Sequence, residues 1–289
     1  MQPLKIPTEI DTAYLVQPDD TLNKLAQNQF GDQQKWRQIR RGDGTHFRIS
    51  TEISTETPND PEFQAGETVY CTLKIGERPR PGYGMGEDFE TLGIPDRPLT
   101  FLERQIYEFL VRAEGSVPVV DRQIVQPLLE HFLDGQGGVY QHGSDTPVSH
   151  LVKHSKPFKT EFSAIELQLH RQLQAQVLEG QLQLDSLNIV IPQIAFKPLD
   201  SLTLFAIIGG TQGADLLLKS FELSATGHYS AQLWVVLYDD FGLDQQDRYT
   251  PGLIAAWNLQ HRGAAQPFIH EVVIAEEVSG DLILPSHAL

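Results

Sequence analysis

The feature that narrows the fold most is an alternating stretch near the C-terminus, from Lys219 to Val278. Lys219, Phe221, Leu223 and Ala225 fall on one side of an extended chain, and Ser220, Glu222 and Ser224 on the other. A period of two marks a half-buried strand. Thr226-Gly227-His228 interrupts it, and Gly227 can take the positive φ of a tight turn. The alternation resumes with Tyr229, Ala231, Leu233, Val235 and Leu237 against Ser230, Gln232, Trp234, Val236 and Tyr238. This predicts an antiparallel hairpin whose second strand is buried more fully towards its end.

Beyond the hairpin, Asp239-Asp240-Phe241-Gly242-Leu243-Asp244 is expected to leave the sheet as an acidic aromatic loop that also takes in Asp247. Thr250 is a good N-cap and Pro251 a good first helical residue. Leu253, Ile254, Trp257 and His261 then recur at helical spacing until Gly263. Asn258 and Arg262 are four apart, so their side chains are neighbours. Pro267-Phe268-Ile269 opens a last strand that runs through Ile274.

The residues with catalytic chemistry here are Asp240, Asp244, Asn258, His261 and Arg262, with Asp239 and Asp247 beside them. A carboxylate near a histidine can act as a base or orient the imidazole. An arginine can hold phosphate or carboxylate through two parallel hydrogen bonds. No cofactor is called for, although the grouped aspartates have the donor set for a hard divalent cation. A structural reading stays open: Asp240 and Asp244 cap a turn at Gly242, Trp257 and His261 pack on the sheet, and Arg262 pairs with an aspartate.

Asp240-Phe241-Gly242-Leu243-Asp244, Trp257-Asn258-Leu259-Gln260-His261-Arg262 and Pro267-Phe268 together resemble an uncharacterised bacterial family, domain of unknown function three-two-eight-nine. The similarity extends back to about His142 and covers about half the chain. It implies no established activity, only an association with bacterial secretion and toxin-like proteins. The order of acidic residues, then Asn, His and Arg, is distantly similar to that of the colicin M toxins, which cleave lipid-linked peptidoglycan precursors. In those toxins the two groups lie much closer together.

The N-terminal residues form a separate pattern. Tyr14-Leu15-Val16 reads as a strand, and Asp20 can cap a helix carrying Leu22, Leu25 and Ala26. Gly31 ends that helix, Trp36 and Ile39 belong to a second, and Gly66 precedes a strand through Val69 and Tyr70. The order strand, helix, helix, strand on these residues resembles a LysM domain. That family binds N-acetylglucosamine-containing glycans, chiefly peptidoglycan, and also serves as a docking part of phage tails and contractile injection machines. The resemblance places the glycan groove at Asp20, Thr21 and Leu22 together with part of the segment from Gly42 to Phe63. Arg40-Arg41-Gly42-Asp43-Gly44 stands where the family has an asparagine, and residues 49–61 look like an insertion.

The predicted fold class is therefore α+β, with a LysM-like βααβ domain at residues 1–75. A Pro/Gly-rich linker at 76–99 joins it to a C-terminal domain at 100–289 with helices over about 100–180 and an antiparallel sheet over about 187–280. Thr100 and Glu103 form a capping box ahead of an apolar stripe of Leu102, Ile106, Phe109 and Leu110. Phe162, Ile165, Leu169 and Leu173 line a longer helix from about Thr160 to Glu179, whose other, glutamine-rich side reads as solvated. Leu187 to Phe196 reads as an edge strand around Pro192. Leu202 to Ile208 reads as a buried strand or a short buried helix. His150 and His154 share a helix face but lack the H-E-x-x-H pattern.

A net charge of −16 argues against binding a nucleic acid backbone. No run reaches the ~20 apolar residues of a membrane helix. Residues 1–7 lack the apolar core of a secretory signal, so the expectation is a protein made in the cytoplasm and exported, if at all, by a specialised machine. Cys71 is the only cysteine, which excludes an intramolecular disulfide. Three functions follow, a housekeeping glycan-binding protein and two others. One is a LysM-type glycan-binding or docking module joined to an effector acting on the cell envelope. The other is a non-catalytic structural or cargo-loading component of a contractile injection or phage-tail-like apparatus. The expected partner is peptidoglycan, or a component of such a machine.

Overall fold

A computed structural model describes residues 13–47, 63–80, 98–114, 121–135, 137–243, 249, 253–263 and 265–285. The chain is of the α+β class. At the N-terminus β1 (Ala13–Leu15), α1 (Leu22–Phe30), a 3-10 turn (Gln33–Gln38), β2 (Ile39–Arg40) and β3 (Thr68–Cys71) form a small unit. Its three strands lie antiparallel in the order β1-β3-β2 around Val16, Leu22, Leu25, Ile39, Phe47 and Val69. The expected second helix is this 3-10 turn. Ile39 and Arg40 pair with Cys71 and Tyr70, so the chain must be extended from residue 39. The insertion at residues 49–61 lies outside the described residues.

The linker expected from residue 76 is not where the N-terminal unit ends. β4 (Leu73–Arg78) crosses that boundary and enters a second, six-stranded sheet. The rest of the predicted linker, residues 81–97, lies outside the described residues. Gly76 marks the strand. A side chain there would collide with the Ile189 carbonyl, so the close parallel pairing with the next edge strand requires glycine.

The remaining elements are α2 (Phe101–Glu114), α3 (Arg122–Leu133), β5 (Val139–His142), α4 (Pro147–His154), α5 (Lys156–Leu178), β6 (Ile189–Val190), α6 (Leu202–Ile207), β7 (Gly213–Leu223), β8 (His228–Phe241), α7 (Ile254–Arg262) and β9 (Phe268–Asp281). The sheet order is β5-β9-β8-β7-β4-β6. Its centre is the predicted antiparallel hairpin extended by β9, but both edges are parallel pairs, β5 with β9 and β6 with β4. The sheet is therefore mixed, and one of its edge strands comes from the region expected to be helical. Leu202–Ile207 resolves as the short helix. The bulge between Leu218 and Ser220 moves Lys219 off the face of Phe221 and sets its ammonium over the Tyr70 and Trp234 rings.

Each face of the sheet has one cover. Leu216, Leu218, Leu233, Val235, Leu237, Val272 and Ile274 share a single core with α3 to α7. Leu217, Trp234, Val236 and Val273 face the other way, where Tyr70 of the N-terminal unit packs on them. Gly44 lies so close to Trp234 and Val273 that any side chain there would push the two apart. Beside it Arg40 Nη1 reaches Glu271 Oε1 at 3.0 Å, and His46 Nε2 lies 3.2 Å from Glu271 Oε2. Burial would raise the Glu271 carboxyl, but the His46 hydrogen bond and the Arg40 charge together hold it below its ordinary value.

The glutamines of α5 are not the solvated face that their polarity suggests. Gln168, Gln172 and Gln176 each accept from one backbone N–H and donate to the carbonyl of the same residue: Val190, Asn188 and Gln183. A side-chain amide carries the donor and acceptor of a peptide unit, so the row covers the open edge at β6 as another strand would. Gln174 holds Ile283, Gln141 holds His46 and Gln260 holds Leu243 in the same way. Gln172→Ala is expected to cost about 1 kcal/mol in a urea titration and to speed amide exchange at Asn188. An unchanged midpoint with unchanged exchange would contradict the clamp.

The apolar stripe of α2 is the largest departure from expectation in the helices. Tyr107 and Val111 turn inward, whereas Leu102, Ile106, Phe109 and Leu110 face outward.

Candidate functional site

Strand parity decides what the end of β8 can do. The β8–β9 ladder runs without a shift and sets Asp239 opposite His270, Tyr238 opposite Glu271 and Asp240 opposite Ile269. Odd positions of β8 share the face of Leu237, so Asp239 and His270 point under the helices. Tyr238, Asp240 and Glu271 point to the other face. Asp239 and Asp240 thus do not leave the sheet, because they are still paired with β9.

The helix-covered face carries a polar band across its strands. His142 comes from β5, His270 from β9, Asp239 from β8, Gln212 from the residue before β7, and Arg78 from the end of β4. The His142 and His270 rings meet edge to face with centroids 4.9 Å apart. His270 Nδ1 lies 3.0 Å from the Ile207 carbonyl at the end of α6, so that nitrogen carries the proton and Nε2 keeps a lone pair. Among the described residues, four buried atoms of the band have no hydrogen-bond partner: Nε2 of each histidine, Oε1 of Gln212 and Nη1 of Arg78. Buried polar atoms normally find partners, so four of them on two successive levels of one sheet face, Arg78 and His142 on one and Gln212 and His270 on the next, mark a candidate site.

Burial sets the protonation of the band. Burial pushes the Asp239 carboxyl up to about 8, against the opposing pull of Arg80. Burial pushes His142 down to about 4 and, with the neighbouring His142, His270 down to about 3. At neutral pH this sets a carboxylic acid, whose pKa lies near the operating pH as a general acid requires, beside imidazoles that stay unprotonated. The Arg78 guanidinium and the Gln212 amide oxygen add a cation and an acceptor at the other end. Asp239 was flagged by its place in the sequence. His270, Gln212 and Arg78 were not, because no local spacing links them.

The other sequence candidates are placed differently. Asp240 forms an ion pair with Arg80. Arg262 Nη1 donates to Asn258 Oδ1 at 2.9 Å, and Asn258 Nδ2 donates to the Ile254 carbonyl at 2.8 Å. The ring of His261 lies tilted against that of Trp257, with centroids 4.3 Å apart. Burial lowers the pKa of His261, and a hydrogen bond to the Leu243 backbone works against that shift. α7 packs through Ala255, Ala256 and Leu259 into the core on the Asp239 face. Asn258, His261 and Arg262 are therefore brought together, and Asp240 is separated from them by the sheet. Asp244, Asp247, Thr250 and Pro251 lie outside the described residues. No group of three His, Cys, Asp or Glu able to hold a metal ion occurs among the described residues.

The three groove candidates of the N-terminal unit have local duties. Asp20 Oδ2 accepts from the Tyr14 hydroxyl and the Gln17 N–H, both at 2.8 Å. Thr21 caps α1 by accepting from the Lys24 N–H. Leu22 is buried in the core of the unit.

Comparison with known proteins adds little to this geometry. No known family and no curated protein matches the chain. Among solved structures it is similar to truncated bacteriocin syringacin M from Pseudomonas syringae pv. tomato DC3000, at 13% identity over 62% of this chain and 83% of that one, with a TM-score of 0.25. It is also similar to pectocin M2, at 13% identity over 65% and 67% of the two chains, with a TM-score of 0.22. Scores this low carry no argument, so the assignment of a site rests on the residues themselves.

Proposed function

We propose that this chain is a modular, toxin-like effector of the bacterial cell envelope that performs acid–base chemistry at the Asp239 band. The observation that carries the reading is the group of four buried polar atoms with no partner among the described residues, beside a carboxyl that burial keeps protonated at neutral pH. Asp239 is the proton donor, the unprotonated Nε2 of His270 accepts a hydrogen bond from the substrate, and Arg78 and Gln212 hold its polar part. The N-terminal unit serves as a LysM-shaped docking module rather than a sugar reader. Asp20, Thr21 and Leu22 are already occupied as turn, cap and core. Export by a specialised machine and an envelope partner belong to the same reading.

A second reading, a non-catalytic component of an injection apparatus, is favoured by the mutual pairing of Asp240 with Arg80 and of Asn258 with Arg262. Expression in the bacterial cytoplasm and then directed to the periplasm separates the two. The effector reading expects growth arrest in the periplasm that Asp239→Asn weakens by about 10²-fold or more and His261→Ala leaves in place. Arrest in neither compartment selects the structural component. Arrest lost in His261→Ala but kept in Asp239→Asn moves the chemistry to α7.

A further inference from the structure

β8 outruns its neighbour. β7 begins at Gly213, opposite Tyr238, so Asp239 and Asp240 pair with β9 on one side and with no described strand on the other. Arg80 enters that gap. The side chain that Gly213 lacks would point to the face of Tyr238 and come within 3.1 Å of Arg80 Cβ and 3.2 Å of its Cα. The chain leaving β4 therefore crosses Gly213 on the face shared by Tyr238 and Asp240, where the Arg80 guanidinium pairs with Asp240. Its Nε is buried with no hydrogen-bond partner among the described residues, so the guanidinium is tied at one end only. Asp239, one residue back, points to the opposite face under the helices.

We infer that Asp240 is a positioning residue for the acid at Asp239: it holds Arg80 on the far face of the sheet and so keeps that guanidinium from pairing with Asp239. The role presupposes that Asp239 is the proton donor. One cation stands beside two consecutive carboxyls on opposite faces, and the ion pair goes to Asp240. A buried carboxyl keeps its proton only while no counter-ion reaches it. The titratable and charged groups on the Asp239 face are His270 opposite it on β9, His142 on β5, Arg78 at the end of β4, His131 on α3, and His261 and Arg262 on α7. His142 and His270 are uncharged at neutral pH. His131 lies 3.0 Å from the Gly137 carbonyl, and Arg262 is bonded to Asn258. Arg80 is the charge that acts on the Asp239 carboxyl against burial. Its placement therefore decides whether Asp239 is an acid or half of an ion pair.

The test is a carbon-13 NMR titration of the aspartate carboxyls in the full chain, in the wild type, Asp240→Asn, Asp240→Glu, Arg80→Gln and the double variant Arg80→Gln with Asp240→Asn. Asp240→Asn frees Arg80, and Asp239 is expected to titrate about 2 pH units lower, the effect of an opposite charge a few ångströms away. At pH 7 that cuts the protonated share of Asp239 about 10-fold. Asp240→Glu keeps a carboxylate for Arg80 and is expected to leave the titration in place. Arg80→Gln is expected to raise it, and adding Asp240→Asn in that background is expected to cause no comparable fall. An Asp239 titration unmoved by Asp240→Asn overturns the inference, as does a fall of equal size in the absence of Arg80. Should Asp240→Asn not fold, Arg80→Gln decides, and an unmoved Asp239 there overturns it as well. A wild-type Asp239 that titrates with the ordinary aspartates removes the acid and this role with it. A wild-type value near 8 that ignores Asp240→Asn removes this role alone.

Discussion

Glu271→Ala is expected to cost the fold about 3–5 kcal/mol, because it leaves the Arg40 charge buried with no counter-ion. Arg40 is 2% exposed and Glu271 0%. The guanidinium spans the gap between the two parts of the chain, donating to Glu271 Oε1 and to the Gly44 carbonyl. His46, Tyr70, Trp234 and the Gln141 clamp all meet around the same contact. The loss should therefore appear first as release of the N-terminal unit and then as a lower urea midpoint for the whole chain. Arg40→Met combined with Glu271→Leu should recover most of that loss, since a buried pair is often replaceable by apolar side chains. A cost below about 1 kcal/mol for the single change, the value of an exposed pair, would show that the contact is not sealed.

The pH dependence of stability should be dome-shaped with a maximum near 6.5, and Asp239→Asn should remove its alkaline side. The carboxyl of Asp239 is raised in the folded chain from 3.8 to about 8. Its contribution is fully present below the unfolded pKa and is lost as pH rises through 8. The two buried histidines act with the opposite sign. Their folded values, about 4 for His142 and about 3 for His270, lie below the ordinary 6.5. Their contribution is present above 6.5 and is lost as pH falls through 4 and 3. Each group changes stability by about 1.4 kcal/mol per pH unit inside its window. Between pH 4 and 6.5 the two histidines outweigh the one aspartate, and stability rises with pH. Between 6.5 and 8 the aspartate acts alone, and stability falls. Denaturant titrations at a series of pH values check both limbs. An alkaline limb that survives in Asp239→Asn would take the carboxyl out of the account.

What was legible in the sequence, and what was not, follows from the range of the signals. The hairpin was readable because its period-two pattern is local and its turn carries Gly227. Asp239 and Asp240 were read as a loop because acidic residues are rare in strands. Their pairing with His270 and Ile269 depends on a strand thirty residues away, so no local signal could show it. The glutamines of α5 read as solvated because an amide side chain looks the same whether it meets water or a backbone edge. β4 was hidden by the prolines and glycines that follow it, although Leu73, Ile75 and the close approach at Gly76 make it a strand. The α2 stripe was found correctly, but periodicity gives only the apolar side, not what covers it. The polar band under the helices was the least legible part, because five residues from five segments converge on it only through the sheet order.

The central claim is that a carboxyl on the helix-covered face of β8 stays protonated at neutral pH beside unprotonated imidazoles. Carbon-13 NMR of the aspartate carboxyls, compared between the wild type and Asp239→Asn, measures it directly. The account predicts one resonance, absent from the variant, that titrates near 8. A resonance for Asp239 that titrates with the ordinary aspartates would contradict it.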